Sequence, residues 1–160
     1  MGGWSNKKQM RLSIGVTYST RDLVFRPYEE EDVPALVREL SSADLVVGFN
    51  ILNFDYAVLT GYTDFDFSKI PTFDLLTDLH SILSFRIGLD SLARATLKAS
   101  KSADGLTALR WFKEGEFAKI AIYCRQDVLV TRDVHQFGCK NKYVYYLDRA
   151  EKPVKVAVKW

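Results

Sequence analysis

The sequence is poor in the residues that mark many ordinary functions. It holds only two cysteines, Cys124 and Cys139, too few for a disulfide framework and spaced as no zinc site is spaced. A reducing, cytoplasmic compartment fits that usage. No apolar run approaches the roughly 18 residues that a membrane span needs, so no membrane partner is expected. The amino terminus has no charged segment followed by an apolar one. Met1-Gly2 resembles a myristoylation start, but Asn6 stands where Ser or Thr is wanted. Neither G-x-G-x-x-G nor G-x-x-x-x-G-K-[ST] occurs, which disfavours dinucleotide and nucleoside-triphosphate binding. Charge of one sign is also lacking: 22 basic and 20 acidic residues leave +2. Contact with nucleic acid would have to come from local patches rather than a global field.

What remains is a globular composition, with 48% of its 160 residues apolar and 26% charged, enough for one domain with a core. Leu12, Ile14, Val16 and Tyr18 alternate with polar or small residues as in a half-buried strand, and residues 23–25 can return as a hairpin arm. Residues 29–32 make an acidic helix start with Pro34 in its first turn, followed by Val33, Leu36, Val37 and Leu40 at helical spacing. Residues 45–49 form a continuous apolar run without alternation, as a parallel strand buried on both faces requires. Helices are expected over 54–62, 73–83, around 89–96, from 104 to about 114, and over 116–137, the last closed by Gly138 as a left-handed cap. The tail alternates twice, as a terminal hairpin does. There is no internal repeat and no low-complexity linker. Hairpin, helix, buried strand and further helices make an α/β pattern.

Two aspartates stand out. On the long helix, Phe117, Ile120, Cys124, Val128 and Val134 share an apolar face that includes Asp127, with Tyr123 one turn earlier. An ionised carboxylate on such a stripe is costly unless paired or bound to metal, so Asp127 either caps a neighbouring helix, pairs with a lysine, or holds a cation. Asp55 follows the buried strand through Gly48-Phe49-Asn50-Ile51-Leu52-Asn53-Phe54, at the carboxyl end where open α/β sheets build their sites. It is either a helix-capping residue or a ligand.

Taken in order, Asn50-x-x-x-Phe54-Asp55-x-x-x-Leu59, Phe73-Asp74-Leu75-Leu76, Leu89-Asp90-Ser91-Leu92-Ala93 and Tyr123-x-x-x-Asp127-Val128 resemble the second and third motifs of the DEDD 3′→5′ exonucleases. The likeness is to the tyrosine subclass, and to proofreading domains of B-family polymerases in particular. Residues 101–106 and 111–115 are similar to that group as well, and the likeness runs over residues 44–138 at least.

The resemblance implies a ribonuclease H-like mixed sheet with flanking helices, spanning residues 1–138, with 139–160 as a hairpin extension of the same domain. It implies a phosphodiester hydrolase acting on 3′ ends of single-stranded DNA or RNA, alone or within a larger DNA-processing assembly. Two divalent cations, Mg²⁺ or Mn²⁺, would lie about 4 Å apart, with Asp55 and Asp127 as two of four carboxylate ligands. Tyr123 would orient the attacking water, because a phenol with a pKa near 10 is a poor base at neutral pH. Asn50 and Phe54 would meet the terminal nucleotide and Lys101 a backbone phosphate; Phe54 is equally readable as core and Lys101 as a surface lysine. Asp74 and Asp90 read as helix caps, and His80 and His135 carry no role.

One part of the pattern is missing. The family's first motif, Asp-x-Glu on the central strand, has no counterpart before Asp55, so metal binding is expected to be weakened and the chain inactive as it stands. Without that strand, residues 10–18 and 45–49 would each carry an unpaired edge. The expectation is that Met1 is not the natural beginning, as when a GTG codon is read as a start. The alternatives are a catalytically dead module that binds nucleic acid or protein, or a fragment of a larger helicase or polymerase.

Overall fold

The computed structural model describes residues 7–99 and 105–160, and it is a mixed α/β arrangement with small sheets. Strand β1 (Gly15–Ser19) pairs antiparallel with β2 (Val24–Tyr28). The rings of the cross-strand partners Tyr18 and Phe25 meet at 4.7 Å, the kind of pair that fixes register. Pro27 is tolerated because β2 has a partner on one side only. A reciprocal cap between Glu29 and Asp32 follows, and helix α1 (Val33–Ser42) begins. Its buried stripe of Val33, Leu36 and Val37 packs with Tyr28, Tyr56, Leu59, Phe67 and Ile70. Glu39 of α1 accepts from Thr17 at 2.9 Å, from Arg26 at 3.0 Å and from the Tyr28 hydroxyl, which fastens the helix to the hairpin.

The non-alternating run becomes β3 (Val46–Gly48), parallel to β4 (Thr72–Asp74). Successive side chains on a strand point to opposite faces. Val46 joins the core around α1, and Val47 joins a second core of Leu75, Leu79, Leu92, Val134 and Val144. A strand with a core on each side needs apolar residues at every position, hence the unbroken run. Strand β4 differs from the sequence reading, which started a helix at Phe73. Three residues are too few for period-two alternation to show, and they run straight into the apolar face of the next helix.

The helices are α2 (Asp55–Leu59), α3 (Leu75–Leu83), α4 (Leu89–Leu97), α5 (Gly105–Glu114) and α6 (Phe117–Asn141). Helix α6 does not stop at Gly138. It continues to Asn141 and is capped by Lys142, whose φ is 63°. Gly138 serves close approach instead: a Cβ there would lie 2.1 Å from the Trp160 ring. That ring is held by its indole N–H donating to Asp78 at 2.7 Å and by stacking on His135. Asp90 is likewise not a cap. It lies in the first turn of α4 and pairs with Arg94.

The terminal hairpin forms from β5 (Tyr143–Leu147) and β6 (Pro153–Ala157). Helix α4 closes the outer edge of β5 with side-chain hydroxyls. Thr96 exchanges hydrogen bonds of 2.8 and 2.9 Å with the backbone of Tyr145, and Ser91 does the same with Leu147 at 3.3 and 2.9 Å. These occupy edge groups that would otherwise template another strand.

Three separate two-stranded sheets result. Helix α6 packs against β1, β3 and β5, one strand of each sheet, so it joins all three. Among the described residues no strand pairs with the second edge of β1 or of β3.

Candidate active site

The site is built where β3 ends. Its carboxyl end runs into a turn in which Asn50 takes the left-handed conformation, φ 64°, one that Asn tolerates better than most residues. The turn is locked by Asp74, the last residue of β4. Its carboxylate is almost wholly buried and accepts from the amides of Asn50 (2.8 Å), Leu52 (3.0 Å), Leu76 (3.0 Å) and Thr77 (3.3 Å). Asp74 therefore caps α3, as its place in the sequence predicts, and also fastens the β3 exit to that helix. Four N–H donors, two of them from the amino terminus of α3, suit a carboxylate.

The turn closes with the Phe54 amide donating to the Asn50 carbonyl at 3.0 Å, and Asp55 opens α2. Water reaches Asp55, yet surrounding protein crowds its carboxyl and pushes its pKa up to about 6. The residue's own backbone amide opposes the rise, and the charge of Asp74 adds to it.

Asp127 sits mid-way along α6, half-buried, with Tyr123 one turn before it. Burial pushes its carboxyl up to about 6 as well, and the Tyr123 hydrogen bond restrains the rise. Every buried side-chain polar atom among the described residues has a hydrogen-bond partner, but among them no Lys, Arg or His forms an ion pair with Asp55 or Asp127. Among the described residues no cation neutralises their charges.

One sulfur feels both carboxylates. Burial pushes the Cys124 thiol up to about 11, and the charges of Asp127 and Asp55 both add to the rise. Helix α6 and the turn after β3 therefore bring Asp55 and Asp127 within electrostatic reach of the same atom. The Cys124 thiol also faces the Ile14 carbonyl at 3.9 Å, on the segment leading into β1. Sequence reasoning placed Cys124 only on an apolar face; nothing local signals that two acids from different elements converge on it.

The remaining candidates divide. Tyr123 is engaged with Asp127, and its ring lies edge-on to Trp111 at 6.3 Å. Phe54 is half-buried and joins neither core cluster. Asn50 is at the turn, but its amide oxygen already accepts from Arg86 Nη2 at 3.0 Å, a residue the sequence reading did not single out. Lys7, from the opposite end of the described chain, donates to the Asn53 carbonyl on the same turn. Lys101 lies outside the described residues. His135 is a packing residue, stacked on Trp160 with its pKa lowered by burial.

A magnesium ion wants six oxygens in near-ideal octahedral geometry. Asp55 and Asp127 supply at most four, and Asp74 is spent on backbone amides. Among the described residues no group of three or more His, Cys, Asp or Glu side chains is placed to hold a metal. Asp55 and Asp127 alone do not complete such a ligand set. Two hollows of about 340 and 300 Å³ open elsewhere, beside Tyr62 and Phe65 and beside Arg11 and Phe117, and neither includes Asp55 or Asp127. Among the described residues no helix is long and apolar enough to cross a membrane. No family model, curated protein or solved structure matches this chain.

Proposed function

We propose that this chain carries half of a DEDD-type 3′→5′ exonuclease centre on a ribonuclease H-like frame, and that it is inactive by itself. The observation that carries the reading is the pair of un-neutralised carboxylates, Asp55 at a strand exit and Asp127 mid-helix, both acting on the Cys124 sulfur. Their raised pKa values mark groups whose charged form the protein disfavours and a bound cation would favour. A strand lying between β1 and β3 would give a five-stranded sheet in the order β2, β1, inserted strand, β3, β4, with α6 across it. Carboxylates on that strand would complete the ligand set.

In this reading Asp55 and Asp127 hold divalent metal, which activates water and stabilises the leaving oxygen when bound. Tyr123 keeps Asp127 oriented and presents its hydroxyl to the water. Phe54, outside both cores, offers an aromatic face to the terminal base of a single strand.

The test is Mn²⁺-dependent shortening of an end-labelled single strand, by this chain and by a version extended with the residues encoded upstream. The short form should leave the strand intact, and the extended form should trim it from the 3′ end. Asp127→Asn in the extended form should abolish trimming; a variant that kept its rate would refute the site. A second reading, a binding module without hydrolysis, is favoured by the lack of a third ligand among the described residues. An extended form that binds single strands without trimming them would select it.

A further inference from the structure

The turn that presents Asp55 is gripped by two cations, each held by an uncharged acceptor. Arg86, exposed on the loop between α3 and α4, donates through one nitrogen to the Asn50 amide oxygen. Lys7 donates to the Asn53 carbonyl. Arg11, Arg26, Arg94 and Arg132 each pair with a carboxylate, whereas Arg21, Arg38, Arg125 and Arg149 do not among the described residues. Among the described residues Arg86 has no such pair. A guanidinium has five N–H donors, so one bond to an amide fixes its place and leaves both its charge and most of its donors available.

We infer that Arg86, positioned by Asn50 and assisted by Lys7, binds a backbone phosphate of the single strand whose 3′ end approaches Asp55. This rests on the reading of the site given above and adds a phosphate-recognising element to it. The need is electrostatic: a phosphodiester entering beside Asp55 and Asp127 is repelled by both carboxylates, and a cation fixed on the turn that leads to Asp55 offsets part of that repulsion. A planar fork also suits two phosphate oxygens. Asn50 is then a positioning residue. Its left-handed backbone makes Asn50→Gly the substitution that removes the amide with least strain.

The experiment is fluorescence anisotropy of a short labelled single strand with the intact chain, in Ca²⁺, across a salt series. Arg86→Ala should weaken binding about tenfold and reduce the slope of log affinity against log salt by about 0.7, the loss of one single-strand phosphate contact. Arg86→Lys should restore the slope and only part of the affinity. Asn50→Gly should weaken binding with Arg86 still present, and Lys7→Ala should lower the slope again when added to Arg86→Ala. Arg149→Ala, in the exposed turn between β5 and β6, should change nothing. Since Arg86 is exposed, its variants should melt with the parent. If the parent binds single strands and Arg86→Ala binds with the same affinity and slope, the inference is overturned while the site reading stands. If the parent binds none, both fall.

Discussion

Replacing Asp127 by Asn removes a charge that α6 holds partly against the interior with no ion-pair partner among the described residues. Folding raises this carboxyl from 3.8 to about 6, so between those values the folded chain binds more protons than the unfolded chain. Stability therefore falls as pH rises from about 4 to about 6 and is flat above that window. The difference, 6 − 3.8, amounts to about 3 kcal/mol at ~1.4 kcal/mol per pH unit for a fully desolvated group. Asp127 is half-buried, and screening by water reduces this to roughly 1–2 kcal/mol. Asparagine keeps an oxygen able to accept from Tyr123, so that bond survives the substitution. D127N should therefore be more stable than the parent by roughly 1–2 kcal/mol at pH 8 and within a few tenths of a kcal/mol at pH 4. Urea unfolding followed by far-ultraviolet circular dichroism at the two pH values measures both differences. A variant less stable at pH 8, or a gain of equal size at both pH values, would refute the assignment of an un-neutralised charge. Millimolar Mn²⁺ should raise the melting midpoint of the parent and leave that of D127N in place, because only a ligand that binds the folded state shifts it.

Two further outcomes are expected. Gly138→Ala places a methyl group 2.1 Å from a Trp160 ring that hydrogen-bonds Asp78 and stacks on His135; it should destabilise the fold by about 1–3 kcal/mol and change the tryptophan emission of the native state, whereas Gly138 replaced in a chain lacking Trp160 should show most of that loss relieved. With its pKa pushed up to about 11, Cys124 should react with iodoacetamide at pH 8 about a hundredfold more slowly than an ordinary thiol, measured in a Cys139→Ser background, and D127N should speed it; an unchanged rate in D127N would separate Asp127 from the sulfur.

Much of the architecture was legible because it follows from periodicity. The run at β3 reads as buried on both faces since each face meets a different core, and α1, α3 and α4 carry apolar stripes that any helix of their period would bury. Elements that depend on distant partners were not legible. Strand β4 is defined by pairing with β3, 26 residues earlier at Val46↔Thr72, and its own three residues carry no pattern. Gly138 looks like a helix stop until Trp160 folds back on it. Asp127 was legible as a site residue because a carboxylate on an apolar stripe contradicts its surroundings. Arg86 was not, because an exposed arginine in a loop contradicts nothing, and its bond to Asn50 crosses 36 residues.

The fold treats three aspartates in very different ways. Asp74 is the most buried of them, and four backbone amides converge on its carboxylate; its charge is answered from within the chain, and its work is to join β3 to α3. Asp55 and Asp127 stand on the turn after β3 and on α6, where donors of the same kind could have met them, and among the described residues receive a local amide and a tyrosine hydroxyl. Both carboxyls are consequently held near 6, and the nearest thiol is driven the same way. A chain that neutralises one acid so fully and leaves Asp55 and Asp127 with no ion-pair partner among the described residues holds those two in a state that a bound cation would stabilise. Selection for stability alone would have removed them, since amide side chains at both positions would keep the hydrogen bonds and remove the penalty.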